Sequence, residues 1–262
     1  MKNEFQLIPG WRVRWRRVRR WTEACLNLVY PPVCQICESE PASARWGYVG
    51  RRCRSQVRRL EPPFCHRCGL PFPGSITQAF ECANCREIDL AFESVRAAVL
   101  AEGVAREIIH RFKYENGRWF EPWLGRLLVQ AATPVLANGD WDLLVPVPLH
   151  PVKQRQREFN QAEVLARHLA KALNRPVRTD LVRRLNPTPT QTKLSREERQ
   201  ANVRRAFRRI PGQRLNGEAV VIVDDVLTTG ATTDAVARQL RRMGAARICV
   251  WAVARATLDG VG

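Results

Sequence analysis

Hydrophobic residues form continuous runs in the C-terminal half of the chain, a pattern typical of strands buried on both faces of a sheet. Residues 220–223 are four consecutive β-branched residues, and two carboxylates, Asp224 and Asp225, follow directly. A helical pattern covers residues 232–243 and ends at a glycine, and residues 247–254 give another apolar strand. Strand, helix and strand in this order predict a βαβ unit of a parallel sheet with helices packed over it.

The alternation of strands and helices begins near residue 94, and the segment before it has a different composition. Apolar periodicity predicts, in order, a strand at 94–101, helices at 104–113 and 119–129, a strand at 142–149 and a helix at 160–173. We therefore divide the chain into a basic N-terminal helix at 1–30, a cysteine-rich, double zinc-ribbon segment at 31–90 and an α/β domain at 91–262. A chain of 262 residues has room for one α/β domain and a smaller module.

The N-terminal segment carries an amphipathic helical pattern. Its apolar stripe consists of Trp11, Trp15, Val18, Thr22 and Cys25, and arginines occupy the other faces. Such a helix can lie on a membrane surface or on DNA, or it can dock its tryptophans onto the protein itself and leave the arginines in solvent. The pattern predicts the helix and leaves its partner open.

The turn after Asp224 and Asp225 is rich in hydroxyl groups and small residues, namely Thr228, Thr229, Gly230, Ala231 and Thr232. Because this turn opens a helix, its free N–H groups and the positive helix end predict a phosphate site, and Gly230 can take a positive φ. Carboxylates do not bind phosphate, so the two acids are predicted to hold ribose hydroxyls, directly or through Mg²⁺. The loop is neither a Walker A nor a GxGxxG sequence. The alternative is a buried strand that ends in an acidic turn without a ligand.

A second strand end is predicted to reach the same site. Pro146 and Val147 lie where the strand at 142–149 leaves the sheet, and loops at such strand ends commonly carry functional residues. We therefore predict that Pro146 and Val147 belong to an active-site loop, with a pyrophosphate group as its expected ligand.

Residues 186–202 form a polar segment interrupted by prolines, with a Ser-x-x-Glu capping box for a short helix. A long loop with its own helix favours a lid over a binding site. Lys193, Arg196 and Arg199 in this lid either bind a pyrophosphate or remain solvent-exposed cations.

Seven of the nine cysteines stand in a metal-binding pattern. Two Cys-x2-Cys pairs supply four thiolates, Cys65, Cys68, Cys82 and Cys85. Four thiolates predict a closed tetrahedral Zn²⁺ site with a structural role, and disulfides or an iron–sulfur cluster are the alternatives.

The remaining cysteines give a weaker metal signal. Cys34, Cys37 and Cys53 resemble a second ribbon that is one ligand short, because Gly50 stands where a Cys-x2-Cys pair places its first cysteine. We therefore predict about one tightly held Zn²⁺ per chain, in the four-cysteine site. Cys25 and Cys249 lie in apolar patterns and are predicted to be ordinary buried residues.

Charge points to anionic partners. The 43 Lys and Arg exceed the 25 Asp and Glu, which gives a net charge of +18. This excess favours a phosphorylated substrate and, as a second partner, nucleic acid, although an arginine-rich soluble surface gives the same count. The apolar runs are shorter than the roughly 20 residues of a membrane span, and the N-terminus lacks the pattern of a signal peptide. We therefore expect a cytoplasmic protein without a membrane span.

Several motifs together resemble the ComF/GntX family of competence-associated, phosphoribosyltransferase-like proteins. They are the cysteine pairs, FKY at 112–114, VPVPL at 145–149, FNQA at 159–162, a TxxQTxLSxxER run at 188–199 and IVDDVLTTGAT at 222–232. The last motif is similar to the 5-phosphoribosyl-1-pyrophosphate (PRPP) signature of type I phosphoribosyltransferases. Two residues depart from the family pattern: Glu158 stands at a position that is usually glycine, and Gly50 replaces a cysteine.

The resemblance implies an α/β fold of the type I phosphoribosyltransferase class, with a mostly parallel sheet, helices on both faces and a small N-terminal zinc-ribbon module. It also implies PRPP and Mg²⁺ as ligands and a link to DNA uptake, with DNA-uptake or processing proteins as partners. Two functions remain open. The chain is a phosphoribosyltransferase with an unknown acceptor, or it senses PRPP or binds single-stranded DNA without catalysis, since cations and aromatic residues bind single strands.

Overall fold

A computed structural model describes residues 32–72, 74–76, 78–185 and 205–256. The predicted basic helix at 1–30, which includes Cys25, and the predicted lid at 186–202 lie outside these residues.

The described elements follow the predicted alternation. The helices are α1 Arg51–Ser55, α2 Ala83–Glu87, α3 Gly103–Tyr114, α4 Glu121–Leu136, α5 Pro151–Arg157, α6 Gln161–Leu173 and α7 Ala231–Arg242. The strands are β1 Ser94–Leu100, β2 Leu143–Pro146, β3 Val182–Arg184, β4 Phe207–Arg209, β5 Ala219–Leu227 and β6 Arg247–Arg255. Short 3₁₀ turns occupy Ala44–Trp46 and Arg118–Phe120.

Four strands form one parallel sheet in the order β1-β6-β5-β2. The two central strands, β5 and β6, are almost entirely buried. Strands buried on both faces need apolar side chains on both, which is why their sequences read as continuous apolar runs. β3 and β4 pair in antiparallel fashion as a separate two-stranded sheet.

Helices cover both faces of the parallel sheet, as predicted. Val221 and Val223 of β5 belong to a hydrophobic core that includes α3, α4 and α6. Val220 and Ile222 belong to a second core with α7 and the two-stranded sheet. Successive strand residues point to opposite faces, so each β5 side chain has a defined side. This alternation also sets the directions of the acids that follow.

The strand at 142–149 and the helix at 119–129 differ in extent from the observed elements, and one observed helix was not predicted. The strand at 142–149 is shortened to β2, which ends at Pro146, because a proline lacks the N–H that a strand interior needs. The helix at 119–129 begins at Glu121, with Pro122 in its first turn, and runs on to Leu136. Helix α5 was not predicted, because residues 151–157 carry almost no apolar residues.

The cysteine-rich segment packs against the outer strand of the sheet. Leu60 N–H donates to the Ala98 carbonyl (3.1 Å), and Leu100 N–H donates to the Arg58 carbonyl (2.9 Å). Val95 N–H donates to the Arg67 carbonyl (2.8 Å). These bonds satisfy the edge of β1, which would otherwise be an unpaired strand edge.

None of the helices in the described ranges combines the length and apolar character required to cross a membrane.

Candidate functional site

Asp224 and Asp225 lie inside β5, and the prediction that they follow the strand was wrong. β5 continues to pair with β6 as far as Leu227, whereas β2 ends opposite Val223. The acids therefore stand at the step where the sheet loses one strand. Ligands of open α/β sheets bind at such carboxyl ends, so the location fits a site even though the boundary differs.

The two carboxylates face different sides of the sheet. Asp225 has the parity of Val223 and forms an ion pair with Lys113 of α3, with 2.9 Å between Nζ and Oδ1. Asp224 has the parity of Ile222, on the side of the two-stranded sheet, and its charge acts on Arg184 of β3. The two adjacent acids thus face opposite sides of the sheet, one towards α3 and the other towards the two-stranded sheet.

The environment shifts the protonation of these groups. Burial raises the pKa of Asp224 to about 7, and the charge of Asp225 adds to this increase. Burial alone would lower the pKa of Lys113, but the charge and hydrogen bond of Asp225 outweigh it, so the pKa of Lys113 is raised. Lys113 therefore stays charged beside Asp225.

Three further cations lie close to Lys113 and to one another, one of them (Arg184) close enough to Asp224 for their charges to interact, and the sequence analysis missed them. Lys153 and Arg157 come from α5, and Arg184 comes from the end of β3. Burial lowers the pKa of Lys153, and the charges of Arg184, Arg157 and Lys113 lower it further. Burial also lowers the pKa of Arg184, although the charge of Asp224 opposes this. Four cations and two carboxylates leave a local positive excess that suits a polyanion.

Helix α5 is anchored by its N-terminal residue. His150 Nδ1 accepts the N–H of Val152 (3.3 Å), so the ring proton lies on Nε2, which faces the Leu185 carbonyl at 3.0 Å. The imidazole therefore links the start of α5 to the residue after β3. This link brings the cations of α5 and β3 together.

Glu158 ends α5 in a left-handed conformation, with φ of 63°. Glycine takes this conformation without steric cost, whereas a residue with a Cβ is strained there. Glu158, which stands where the family pattern has glycine, therefore introduces backbone strain at the end of α5.

The predicted phosphate turn is present at the end of β5. Thr228 and Thr229 are exposed, and Gly230 has φ of 80° as the residue before α7. A Cβ at Gly230 would meet only ordinary contacts, so glycine is needed there for conformation and not for space. Ala231 and Thr232 belong to the first turn of α7. The N–H groups of a first helical turn have no partner within the helix, as the prediction requires, although that of Ala231 donates to Thr229 Oγ1 (3.4 Å).

Arg255 of β6 supports this turn from beneath. Its guanidinium Nη1 donates to the carbonyls of Leu227 (3.1 Å), Thr228 and Ala256 (3.1 Å). The side chain is buried. Burial lowers the pKa of the Arg255 guanidinium, and the nearby cysteines of the Cys65 cluster oppose this change. Sequence reasoning missed Arg255 because one arginine at the end of an apolar strand carries no local signal.

Pro146 pairs with Val223, the residue before the acids, and both backbone polar groups of Val147 are hydrogen-bonded. Val147 N–H donates to the Val223 carbonyl (2.9 Å), and its own carbonyl accepts from Asn160 Nδ2 (3.0 Å). Asn160 also caps α6 by accepting the Ala162 N–H (3.1 Å). These two residues thus form a rigid wall between β2 and α6.

Lys193 and Arg199, with Arg196, lie outside the residues that the structure describes. Their segment joins β3 to β4, and these strands pair from Val182 opposite Arg209 to Arg184 opposite Phe207. The attachment points of the predicted lid are therefore close together, and Arg184 stands at one of them.

The cysteines form two clusters in the described part of the chain. In the Cys65 cluster, the sulfur atoms of Cys65, Cys68, Cys82 and Cys85 lie within 4.8 Å of one another. Cys68 and Cys82 Sγ are 3.7 Å apart, close to the ~3.8 Å that tetrahedral Zn–S bonds of about 2.3 Å require. These residues fit a structural zinc ion. Cys249 is buried in β6, as predicted.

The Cys34 cluster contains Cys34, Cys37 and Cys53, as predicted, and a fourth residue that was not predicted, Glu40. All four ligand atoms lie within 4.8 Å of one another. The premise of a site one ligand short therefore no longer holds.

Two protein-family models match parts of the chain. Residues 25–88 match the double zinc ribbon domain, and residues 160–258 match the phosphoribosyl transferase domain.

Curated relatives align over most of their length. Competence protein F of Haemophilus influenzae is 31% identical over 78% of this chain and 89% of its own. The DNA utilization protein YhgH of Escherichia coli is 31% identical over 87% of this chain and 99% of its own. Competence protein ComFC of Bacillus subtilis is 26% identical over 83% of this chain and 92% of its own.

Among solved structures, a purine phosphoribosyltransferase from Pyrococcus horikoshii is 19% identical and covers 51% of this chain and 84% of its own, with a TM-score of 0.35 that carries no argument by itself. The match to the double zinc ribbon agrees with the two cysteine clusters. The match to the phosphoribosyl transferase domain agrees with the parallel sheet. The chain belongs to the ComF family and combines a double zinc ribbon with a type I phosphoribosyltransferase fold.

Proposed function

We propose that this protein binds PRPP with Mg²⁺ at the carboxyl end of β5 and acts as a phosphoribosyltransferase on an unidentified acceptor. The observation that carries the proposal is the meeting of two carboxylates and four cations beside a turn that opens a helix. A ligand with a diol, a phosphate and a pyrophosphate needs this combination of charges.

The residues fit the parts of PRPP one by one. Asp224 and Asp225 provide the hard oxygen donors that suit a ribose diol and Mg²⁺. Thr228, Thr229 and Gly230, with the first turn of α7, suit the 5-phosphate, because helix N-termini bind anions. Mg²⁺, when bound, would neutralise charge on the pyrophosphate oxygens.

The cations suit the group that leaves. Lys153, Arg157 and Arg184 form a group of cations on the side of α5 and β3, with Arg184 close to Asp224. A pyrophosphate held there would develop negative charge as its bond to C1 breaks. Fixed cations that face developing charge lower a barrier, because no reorganisation is needed at the moment of reaction. Lys193 and Arg199 of the predicted lid would add to them.

Two measurements test this function. Titration of the purified chain with PRPP and Mg²⁺ tests binding, and replacement of Lys153, Arg157 or Arg184 by Gln should weaken it. Pyrophosphate release from PRPP in the presence of fractionated cell extract tests transfer. Binding without release in any fraction would leave a PRPP sensor in place of a transferase.

A second function, binding of single-stranded DNA, is favoured by a separate surface. An open cleft of about 730 Å³ between the cysteine-rich segment and β1 is lined by Arg54, Arg58 and Arg59. Phe72 is 43% exposed in the same cleft. Cations beside an exposed ring suit a single strand, because the cations bind its phosphates and the ring stacks on its bases.

This surface also agrees with the names of the relatives. One is called a DNA utilization protein, and two are called competence proteins. We propose that this chain likewise takes part in the handling of incoming DNA, together with proteins of DNA uptake, in the cytoplasm. PRPP binding and DNA binding would then occur on different faces of one protein.

A further inference from the structure

The two cysteine clusters are built as repeats of one turn. In the first, Cys34 N–H donates to the Glu40 carbonyl (2.8 Å), and in the second, Cys65 N–H donates to the Leu70 carbonyl (2.8 Å). The residue after each carbonyl is a proline that forms an isolated bridge with the residue before the first cysteine. Glu40 thus occupies the position that Leu70 occupies in the other repeat.

The second half of each repeat gives the position of the missing ligand. Gly50 N–H donates to Cys34 Sγ (3.2 Å), and Cys82 N–H donates to Cys65 Sγ (3.3 Å). Gly50 and Cys82 also stand directly before the short helices α1 and α2. Gly50 therefore corresponds to Cys82, and the first cluster lacks the thiolate that Cys82 supplies.

The carboxylate of Glu40 fills the space of that thiolate. A Cβ built on Gly50 would overlap Cγ, Cδ and Oε1 of Glu40. Oε1 also lies 3.8 Å from Cys37 Sγ, and it belongs to the group of ligand atoms within 4.8 Å of one another. A carboxylate in this place requires a residue without a side chain at position 50.

Glu40 also caps α1, which gives a simpler reading of its position. Its Oε2 accepts the Arg52 N–H (3.0 Å), and its Oε1 accepts the Cys53 N–H (3.2 Å). A neutral amide has a single acceptor oxygen, so it could keep only one of these two bonds. The cap therefore uses both carboxylate oxygens, but it does not explain why Oε1 also lies 3.8 Å from Cys37 Sγ, within a cluster of three cysteines.

We propose that Glu40 is the fourth ligand of a second structural zinc site, completed by Cys34, Cys37 and Cys53. A carboxylate oxygen is an accepted zinc ligand, and four protein ligands close the site to water. The chain would then hold two zinc ions where the sequence pattern predicts one. The inference is independent of the proposed PRPP site.

The oxygen ligand gives the two sites different metal preferences. A four-thiolate site favours soft ions, and exchange of one thiolate for a carboxylate weakens that preference. Cadmium added in limiting amount should therefore displace zinc from the Cys65 site before the Cys34 site. The Cys34 site should also release its zinc first to a chelator.

The test is zinc content of the full chain after dialysis against a mild chelator, with release followed by a colorimetric indicator. Wild type should retain two ions per chain. Glu40→Gln keeps one acceptor for the cap but removes the charge, and it should retain one zinc ion per chain. Its zinc affinity at the Cys34 site should fall by more than about tenfold, because even loss of an outer partner of a zinc ligand costs about 10- to 100-fold. Glu38→Gln, four residues after Cys34 and outside the cluster, is the matched control and should retain two.

A compensating exchange separates ligation from folding. The double variant Glu40→Ala with Gly50→Cys removes the overlapping carboxylate and restores a fourth thiolate, so it should regain the second ion. X-ray absorption should then count eight sulfur ligands per two zinc ions, against seven sulfur and one oxygen in wild type. One zinc ion in wild type, or two ions with unchanged release in Glu40→Gln, would overturn the proposal.

Discussion

Lys113 of α3 and Asp225 of β5 form an ion pair of 2.9 Å whose two side chains are 18% and 12% exposed. The pair joins a helix on one face of the sheet to the strand that carries the acids. Burial of the two charges costs desolvation free energy, so loss of either partner would leave an uncompensated buried charge. Lys113 thus fixes the position of Asp225 through this ion pair.

Replacement of Lys113 by Gln should expose this dependence. Asp225 would lose its partner in a site with little solvent, so we expect the free energy of unfolding to fall by about 1–3 kcal/mol. Chemical denaturation at neutral pH measures the change. Lys171→Gln on the exposed side of α6 is the control and should change it by less than about 0.5 kcal/mol. Equal stability of the two variants would show that the pair contributes nothing.

The raised pKa of Asp224 predicts how stability depends on pH in the absence of ligand. The folded protein binds this proton more tightly than the unfolded chain. Ionisation of the buried Asp224 carboxyl therefore costs no stability near pH 4, and the loss of stability grows as pH rises through about 7. Asp224→Asn removes this loss. The variant should therefore exceed wild type in stability at pH 8 by at least about 1 kcal/mol, and the difference should shrink towards pH 5.

Denaturation of both proteins at several pH values checks this result. Asp140→Asn, at a position outside the site, controls for the change of residue and should follow wild type. A destabilised Asp224→Asn protein at pH 8 would show that the carboxylate is stabilised, not strained, by its surroundings.

The left-handed conformation of Glu158 predicts a stabilising substitution. Glu158→Gly removes the Cβ that opposes φ of 63°, so the variant should gain about 1 kcal/mol. Glu158→Ala keeps the Cβ and removes only the carboxylate, so it should gain nothing. Thermal unfolding of the three proteins is the measurement, and an equal gain in both variants would assign the effect to charge instead of backbone.

The arginine-lined cleft predicts a salt-dependent affinity for single-stranded DNA. Log K should fall linearly with log[salt], and the slope should become shallower by about 0.7 for each phosphate that the protein no longer neutralises. The variant Arg58→Ala with Arg59→Ala should therefore bind more weakly and with a smaller slope, and Phe72→Ala should weaken binding at an unchanged slope. Fluorescence anisotropy with a labelled oligonucleotide gives both values.

The control for this experiment is Arg242→Ala at the far end of α7. If the cleft variants and this control have the same affinity and slope, the cleft does not bind DNA. Deletion of residues 1–30 in the same assay then shows whether the basic N-terminal segment binds the DNA instead.

Local patterns were sufficient to predict the centre of the site. The βαβ unit, the two acids and Gly230 follow one another in the chain, so their spacing and the period of the apolar residues locate them. The extent of β5 was not predictable in this way. Asp224 and Asp225 remain in the strand because β6 continues to pair with β5 beyond the end of β2, and this pairing cannot be read from the residues around the acids.

The cations near the acids and the proposed zinc ligand Glu40 could not be predicted from the sequence, for a related reason. Lys153 and Arg157 lie on a helix without apolar periodicity, and only the fold brings them beside Arg184. Glu40 follows the Cys-x2-Cys pair of the first cluster, where an acid carries no signal by itself, and only the structure places its carboxylate in the space over Gly50. Tertiary contacts, not spacing, define these residues.

The most direct test of the account is the shift in melting temperature on addition of PRPP and Mg²⁺. A ligand that binds only the native state stabilises it by about 2.7 kcal/mol at a concentration 100 times its dissociation constant. Wild type should show this saturable shift, and the Asp224→Asn, Asp225→Asn double variant should fold and lose it, while Asp140→Asn should keep it. An undiminished PRPP shift in the folded double variant would remove the two carboxylates from the site and contradict the account.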